Sequence, residues 1–246
     1  MAQHSESASP FGIGGAIAAT VGRSGLGVLS HLGVLVLTLY GSLLMFALAV
    51  LLPVALLAKV PLGRFCRAVK TPWLVAFTTA SSEAALPLAF RNMEQLGVPK
   101  HIGLFVLPTG YSFNMDGTAL YLALASLFVA QAAGIDLSLR QQVLMMLTLM
   151  LTSKGLAAVP RASLVVLSAT LVQFGLPLAG VAIILGVDAL MDMARTSINV
   201  VGNCLACVVM AQWDGSFALS EENPLVEVDL QLNPTPAFAP LEGATI

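Results

Sequence analysis

Asp188, Asp192, Arg195, Thr196, Asn199 and Asn203 are the chemically capable residues of the last apolar stretch. Counted from Asp192, the four that follow stand at +3, +4, +7 and +11, which puts them on one face of a helix. Asp188 lies one turn earlier on that face and is expected to orient the group electrostatically. The stripe offers a carboxylate for an ammonium, a guanidinium fork for a carboxylate, and amides that serve either role. An arginine grips a carboxylate bidentately, as a lysine cannot. A ligand that satisfies Asp192 and Arg195 together carries both signs of charge, which points to an amino acid with an acidic side chain.

A second group stands near the middle of another apolar stretch, Gly110-Tyr-Ser-Phe-Asn-Met-Asp-Gly-Thr118, with Pro108 just ahead. Two glycines and a proline weaken a helix, so the backbone is expected to unwind there. Freed carbonyls such as that of Gly110, with Asn114 and Asp116, are hard oxygen donors for a small hard cation, and the same carboxylate can carry a proton. His4, His31 and His101 are isolated and form no ligand set. Cys204-Leu-Ala-Cys207 has the spacing of a redox or metal pair, but it lies in an apolar run without further ligands and reads as packing. Three cysteines make no disulfide framework.

The elements that position these groups must lie in lipid. Of 246 residues, 57% are hydrophobic and 10% charged, and the mean hydropathy is +0.89. So few charges cannot cover a water-exposed surface. A net charge of −2 with scattered cations offers no basic face for nucleic acid. Leu32 to Ala58 carries no charge and is long enough to span a bilayer with tilt. It runs into Lys59, Arg64, Arg67 and Lys70, which read as a cytoplasmic loop. Gly103 to Gly134 and Gly180 to Gln212 read as two further spans. Phe11 to Gly22 is too short to cross, and no secretory signal opens the chain. From Asp214 onward the chain is acidic and proline-containing and reads as a disordered tail.

Between the spans lie Thr71 to Phe90 and Gln142 to Phe174. Each reads as two apolar arms about a polar tip, the pattern of a re-entrant hairpin. The order hairpin, helix, hairpin, helix suggests two units of opposite orientation, with a binding site where they meet. Glu83, Asp116, Lys154, Arg161, Asp188, Asp192 and Arg195 all fall within apolar segments. Each costs about 2.5–3.5 kcal/mol at the bilayer centre, so each is expected to face the interior and find a partner.

Four motifs carry a family resemblance: Thr79-Ala-Ser-Ser-Glu-Ala-Ala-Leu-Pro87, Pro108 to Thr118, Thr152-Ser-Lys-Gly155 and Asp188 to Asn203. Over about residues 10 to 215 the chain resembles the glutamate transporter family of dicarboxylate/amino acid:cation symporters, in particular its bacterial proton- and sodium-coupled glutamate/aspartate branch. The resemblance implies an all-α membrane protein, a transporter rather than an enzyme. Its fold would be an inverted repeat of re-entrant helical hairpin plus broken transmembrane helix. The implied organisation is a polar stub (1–10), a partial scaffold helix (11–30), a transmembrane helix and cytoplasmic loop (31–70), the first hairpin with its unwound helix (71–134), the second hairpin, acting as gate, with the final helix (141–213), and the tail (214–246).

The resemblance also implies roles. Ser81 and Ser82 at the first hairpin tip would hold the substrate α-carboxylate, Thr118 and Arg195 its side-chain carboxylate, and Asp192 its amino group. Thr196 and Asn199 would complete the pocket, closed over by Val159, Pro160 and Ser163. Gly110, Asn114, Asn199 and Asn203 match one cation site, the backbone near Ser153 a second, and Asn114 with Asp116 part of a third, for sodium and/or protons. No organic cofactor is implied. In the family such a core moves as an elevator against a trimeric scaffold in the cell (inner) membrane.

Three departures stand out. Asn203 replaces a frequent aspartate, Ala158 and Arg161 replace glycines at the gate tip, and family members carry further spans ahead of this region, so the chain reads as N-terminally truncated. Asp192 favours amino acids over C4-dicarboxylates. The other readings are a C4-dicarboxylate symporter, a transport-incompetent remnant, and an aspartyl hydrolase using Asp116 and Asp192, with whose dyad Arg195 would compete.

Overall fold

The computed structural model describes residues 27–154 and 162–219. Residues 1–26, the tip positions Ala158, Val159, Pro160 and Arg161, and the chain from 220 onward lie outside the described residues. Among the described residues every regular element is a helix.

Helix α1 (Gly27–Phe46) passes through a widened π-helical turn (Ala47–Leu51) into α2 (Leu52–Leu57). Pro53, in the first turn of α2, has no N–H to give to a carbonyl four residues back, and the widened turn stands just ahead of it. Leu37, Leu44, Met45 and Leu57 of this rod are exposed, as lipid-facing side chains are.

Helix α3 (Leu62–Thr79) and helix α4 (Ser82–Leu96) pack along each other. Arg64, Arg67 and Lys70 were expected in a loop and stand instead on the exposed side of α3. Pro61 caps its start, and Phe65, Ala68, Val69, Pro72 and Ala76 recur at helical spacing to give it a buried stripe, so the helix begins as soon as the proline is passed. The pair therefore runs from 62 to 96, beyond the expected 71–90. Its tip is only Ala80, in the left-handed region (φ 50°), and Ser81, extended. Glu83 was expected to face inward. It is exposed, in the first turn of α4, where an acid is favoured by the helix dipole.

Helix α5 (Lys100–Phe113) and helix α6 (Asp116–Ala132) are separated by Asn114 and Met115 alone. Then come α7 (Leu139–Thr152), opened by a Ser138–Gln141 capping box, α8 (Ala162–Gln173) and the short α9 (Ala179–Ile184). The last helix, α10 (Asp188–Trp213), begins with an acid in its first turn. The expected single span from 180 to 212 is thus two helices, divided at residues 185–187.

Among the described residues three stretches are long and apolar enough to cross a membrane: Ser30–Leu57, Lys100–Ala132 and Asp188–Trp213. In their most apolar windows the first is 17% buried and the last 72%. Helix α10 is the axis of the molecule and touches α1, α3, α4, α5 and α6. Two apolar clusters form along it. One gathers Val200, Cys204 and Val208 with Ala76, Ala85, Met93 and Leu107 of α3, α4 and α5. The other gathers Met191 and Ala194 with Leu39, Leu122, Met145, Leu167 and Ile184 of α1, α6, α7, α8 and α9.

After α10 the chain was expected to be unstructured from Asp214. Residues 214–219 instead fold back: Phe217 packs on the first cluster and the Ala218 N–H donates to the Gly97 carbonyl (3.3 Å). An apolar ring within reach of the core holds the start of the tail.

Candidate functional site

The face of α10 predicted from spacing turns inward. Asp188, Arg195, Thr196, Asn199 and Asn203 are all buried. Arg195 Nε lies 2.9 Å from Asp192 Oδ1, one turn away, and the Thr196 hydroxyl donates to the same oxygen (3.1 Å). The side chains are 3% and 15% exposed, so the pair is largely out of water. Attraction offsets desolvation in such a place only when the remaining donors also find acceptors. Arg195 Nη1 is buried with no partner among the described residues. Arg195 and Asp192 were expected to engage a ligand as separate groups, but they also engage each other, because i,i+3 spacing brings a short acid and a long base into reach.

Tyr121 of α6 organises this pair. Its ring lies under the guanidinium, 4.1 Å from Cζ to centroid, and its hydroxyl donates to Asp188 Oδ1 (2.8 Å). A cation over an aromatic face is worth up to about 2 kcal/mol when desolvated. Tyr121 thus stands between Asp188 and Arg195 and touches both.

One turn further along α10, Asn199 joins it to the start of α6. Its Oδ1 accepts from the Gly117 N–H (2.8 Å) and its Nδ2 donates to Thr118 Oγ1 (2.9 Å). The Gly117 N–H is one of those left over at a helix start. A further turn on, Asn114 Nδ2 donates to Asn203 Oδ1 (3.0 Å), while Asn203 Nδ2 is buried without a partner among the described residues. Asn114 Nδ2 and Asp116 Oδ2 lie 3.6 and 3.7 Å from where a Cβ on Gly202 would stand, so both face α10.

The interruption between α5 and α6 differs from its expected cause. Pro108, Gly110 and Gly117 are all helical. The glycines serve close approach. A Cβ at Gly117 would stand 2.5 Å from the Arg195 carbonyl oxygen, and one at Gly110 would collide with the Asn203 amide. The Gly110 carbonyl, expected to be freed, accepts the Asn114 N–H (2.7 Å), because the helix continues one residue past the point where that bond would be lost. The freed end is Phe113, whose carbonyl accepts from Lys154 Nζ (2.6 Å).

Other predicted residues stand apart. Ser81 Oγ accepts from the Ala84 N–H (3.2 Å) as the cap of α4, and Ser82 begins that helix. Neither is hydrogen-bonded to Asp192 or Arg195 among the described residues. Ser153 Oγ donates to the Met150 carbonyl (3.0 Å) at the end of α7. Ser163 Oγ, near the start of α8, is buried without a partner among the described residues. Val159 and Pro160 lie outside the described residues.

Sequence reasoning missed Tyr121 as part of the site. The signal was its place one turn after Thr118, on the same face of α6. Lys154 was noted as a charge in an apolar segment but given no role. Asn114, Asn203, Asp116 and the helix-end carbonyls offer oxygens, the donors of a hard cation. Among the described residues no three His, Cys, Asp or Glu gather as a metal-ligating group.

A chain whose described elements are all helices, three apolar stretches among them of membrane length, with a buried ionic face on α10 beside the break between α5 and α6, is a membrane protein. Residues 7–213 match the sodium:dicarboxylate symporter family, and the chain belongs to that family of transporters. It is 47% identical over 209 residues to the proton/sodium-glutamate symport protein of Bacillus caldotenax, covering 85% of this chain and 50% of that one. It is 49% identical over 209 residues to the proton/glutamate-aspartate symporter of Escherichia coli (strain K12), covering 85% and 48%. The C4-dicarboxylate transport protein of Azorhizobium caulinodans is 44% identical over 211 residues, covering 85% and 47%. The chain spans about half the length of the curated relatives it matches.

Proposed function

We propose that this chain carries the substrate- and ion-binding part of a symporter that moves glutamate or aspartate across the cell (inner) membrane with protons and/or sodium. The observation that carries the reading is the buried Nη1 of Arg195 beside Asp192, which has no partner among the described residues. A buried guanidinium whose Nε is held by Asp192 and whose face is held by Tyr121 presents its remaining donors in a fixed direction, as recognition of a side-chain carboxylate requires. Asp192 would take the ammonium group, with Thr118, Thr196 and Asn199 around it. Ser81, Ser82, Val159, Pro160 and Ser163 would close the pocket from the two helical pairs. Gly110, Asn114, Asp116, Ser153, Asn199 and Asn203 would hold the coupling ion.

The two apolar clusters on α10, each joining one helical pair to one piece of the interrupted helix, support an inverted repeat of re-entrant hairpins. By the same reading the core moves as an elevator against a homotrimeric scaffold.

C4-dicarboxylate symport is the second reading. It is favoured by Asp192 Oδ1, which already accepts from both Arg195 and Thr196, and by the relatives named as C4-dicarboxylate transport proteins. Uptake of radiolabelled aspartate and, separately, of radiolabelled succinate into proteoliposomes tests both, with this chain alone and with the N-terminal half of the Bacillus caldotenax relative supplied. Aspartate uptake supports the first reading, succinate uptake without aspartate uptake supports the second, and binding without uptake marks a transport-incompetent chain. Arg195→Cys should abolish acidic amino-acid binding while sparing neutral amino acids.

A further inference from the structure

Lys154 stands on the turn that ends α7, exposed at its own position, and reaches across to α5. Its Nζ is 2.6 Å from the carbonyl oxygen of Phe113. Phe113 is the last residue of α5, where the interruption at Asn114 and Met115 removes the donors that would satisfy the final carbonyls. This helix end also carries partial negative charge, which favours a cation. Asp116 opens α6 on the far side of the interruption, and the Lys154 ammonium acts on its carboxylate through space. Asn114 and Asn203, the other side chains there, are neutral. A tethered monovalent cation has thus been brought to oxygens of the kind that hold a free one.

We propose that the Lys154 ammonium is a built-in competitor for a cation at the α5–α6 interruption, seated on Phe113 and lowering the affinity of that place for free sodium. The proposal rests on the reading of this chain as the ion-binding part of a symporter. An ammonium and a sodium ion carry the same charge, so the ammonium held on the Phe113 carbonyl repels a sodium ion from the oxygens beside it. Lys154 is in this sense a positioning residue, one that sets how much free cation the interruption requires.

The test is a sodium titration of the purified chain in lipid nanodiscs, with choline replacing sodium at constant ionic strength and the thermal unfolding midpoint as readout. Lys154→Met should reach half-maximal sodium stabilisation at about fivefold lower sodium than the native chain, the scale of one exposed charge pair. Lys154→Arg, which keeps the charge, should follow the native chain. Lys154→Gln, which keeps a donor without the charge, gives the same comparison should the methionine variant fail to fold. Equal sodium midpoints for the native and neutral variants, or no sodium response in any of them, overturn the proposal. Aspartate binding measured in the same nanodiscs separates the two claims. Bound aspartate with an unchanged sodium midpoint overturns this inference alone, and absence of aspartate binding at every sodium concentration overturns the functional reading.

Discussion

The guanidinium carbon of Arg195 stands 4.1 Å from the centroid of the Tyr121 ring, on a different helix and 74 positions away in sequence. The ring fixes the plane of the guanidinium while the tyrosine hydroxyl ties the arrangement to Asp188. Two charged side chains are thereby ordered by one residue of α6.

Replacing Tyr121 tests that ordering. Tyr121→Leu removes the ring face and should weaken aspartate binding about tenfold, the scale of a partly desolvated cation–π contact. Tyr121→Phe keeps the face, loses the bond to Asp188, and should cost less. Isothermal titration of all three proteins provides the comparison, and equal affinities would separate the ring from recognition.

Asp192 distinguishes the two substrate classes. Asp192→Asn keeps an acceptor for Arg195 Nε and Thr196 but loses the charge. Competition binding should then show aspartate affinity falling at least about a hundredfold, as expected when a partner of a buried charge is lost. Succinate, with no ammonium, should fall much less. A parallel fall for both ligands would deny Asp192 its role at the amino group.

Gly117 and Gly110 differ in what a methyl group would meet. At Gly117 the obstacle is the Arg195 backbone 2.5 Å away, which cannot turn aside. Gly117→Ala should therefore destabilise the chain by about 1–3 kcal/mol, the usual cost of overpacking. At Gly110 the obstacle is the Asn203 amide, which can rotate. Gly110→Ala should cost less in thermal unfolding but break the Asn114–Asn203 hydrogen bond and shift the sodium dependence.

The cysteines report on the core. Cys204 and Cys207 are buried in α10 and Cys66 is exposed on α3. Maleimide labelling of the native chain in nanodiscs should modify Cys66 alone, with the other two reacting only after denaturation. Native labelling of Cys204 would mean that α10 is not the central helix.

Much of the site was legible because periodicity survives folding. Asp192, Arg195, Thr196, Asn199 and Asn203 share a face by spacing alone, and a polar face in an apolar helix has nowhere to go but inward. The interruption near Asp116 was legible for the wrong reason. Glycine and proline marked the region, but Gly110 and Gly117 serve contact with α10, which no local rule describes. Arg64, Arg67 and Lys70 resemble a loop in sequence because their charges interleave with the apolar stripe of Phe65, Ala68, Val69 and Pro72. That the segment is a helix with a charged outer side shows only once its inner side has something to pack against.

Composition and spacing by themselves determined that this chain lives in lipid, that it is helical, and that it gathers opposite charges on the face of its last apolar helix. Those properties follow from local arithmetic: the cost of a charge in hydrocarbon and the 3.6-residue turn. Tertiary structure alone decided that Arg195 rests on Tyr121, that Asn199 caps the start of α6, and that Lys154 reaches the end of α5. Each is a contact between elements remote in sequence, and such contacts are selected by packing around α10, which no single segment encodes.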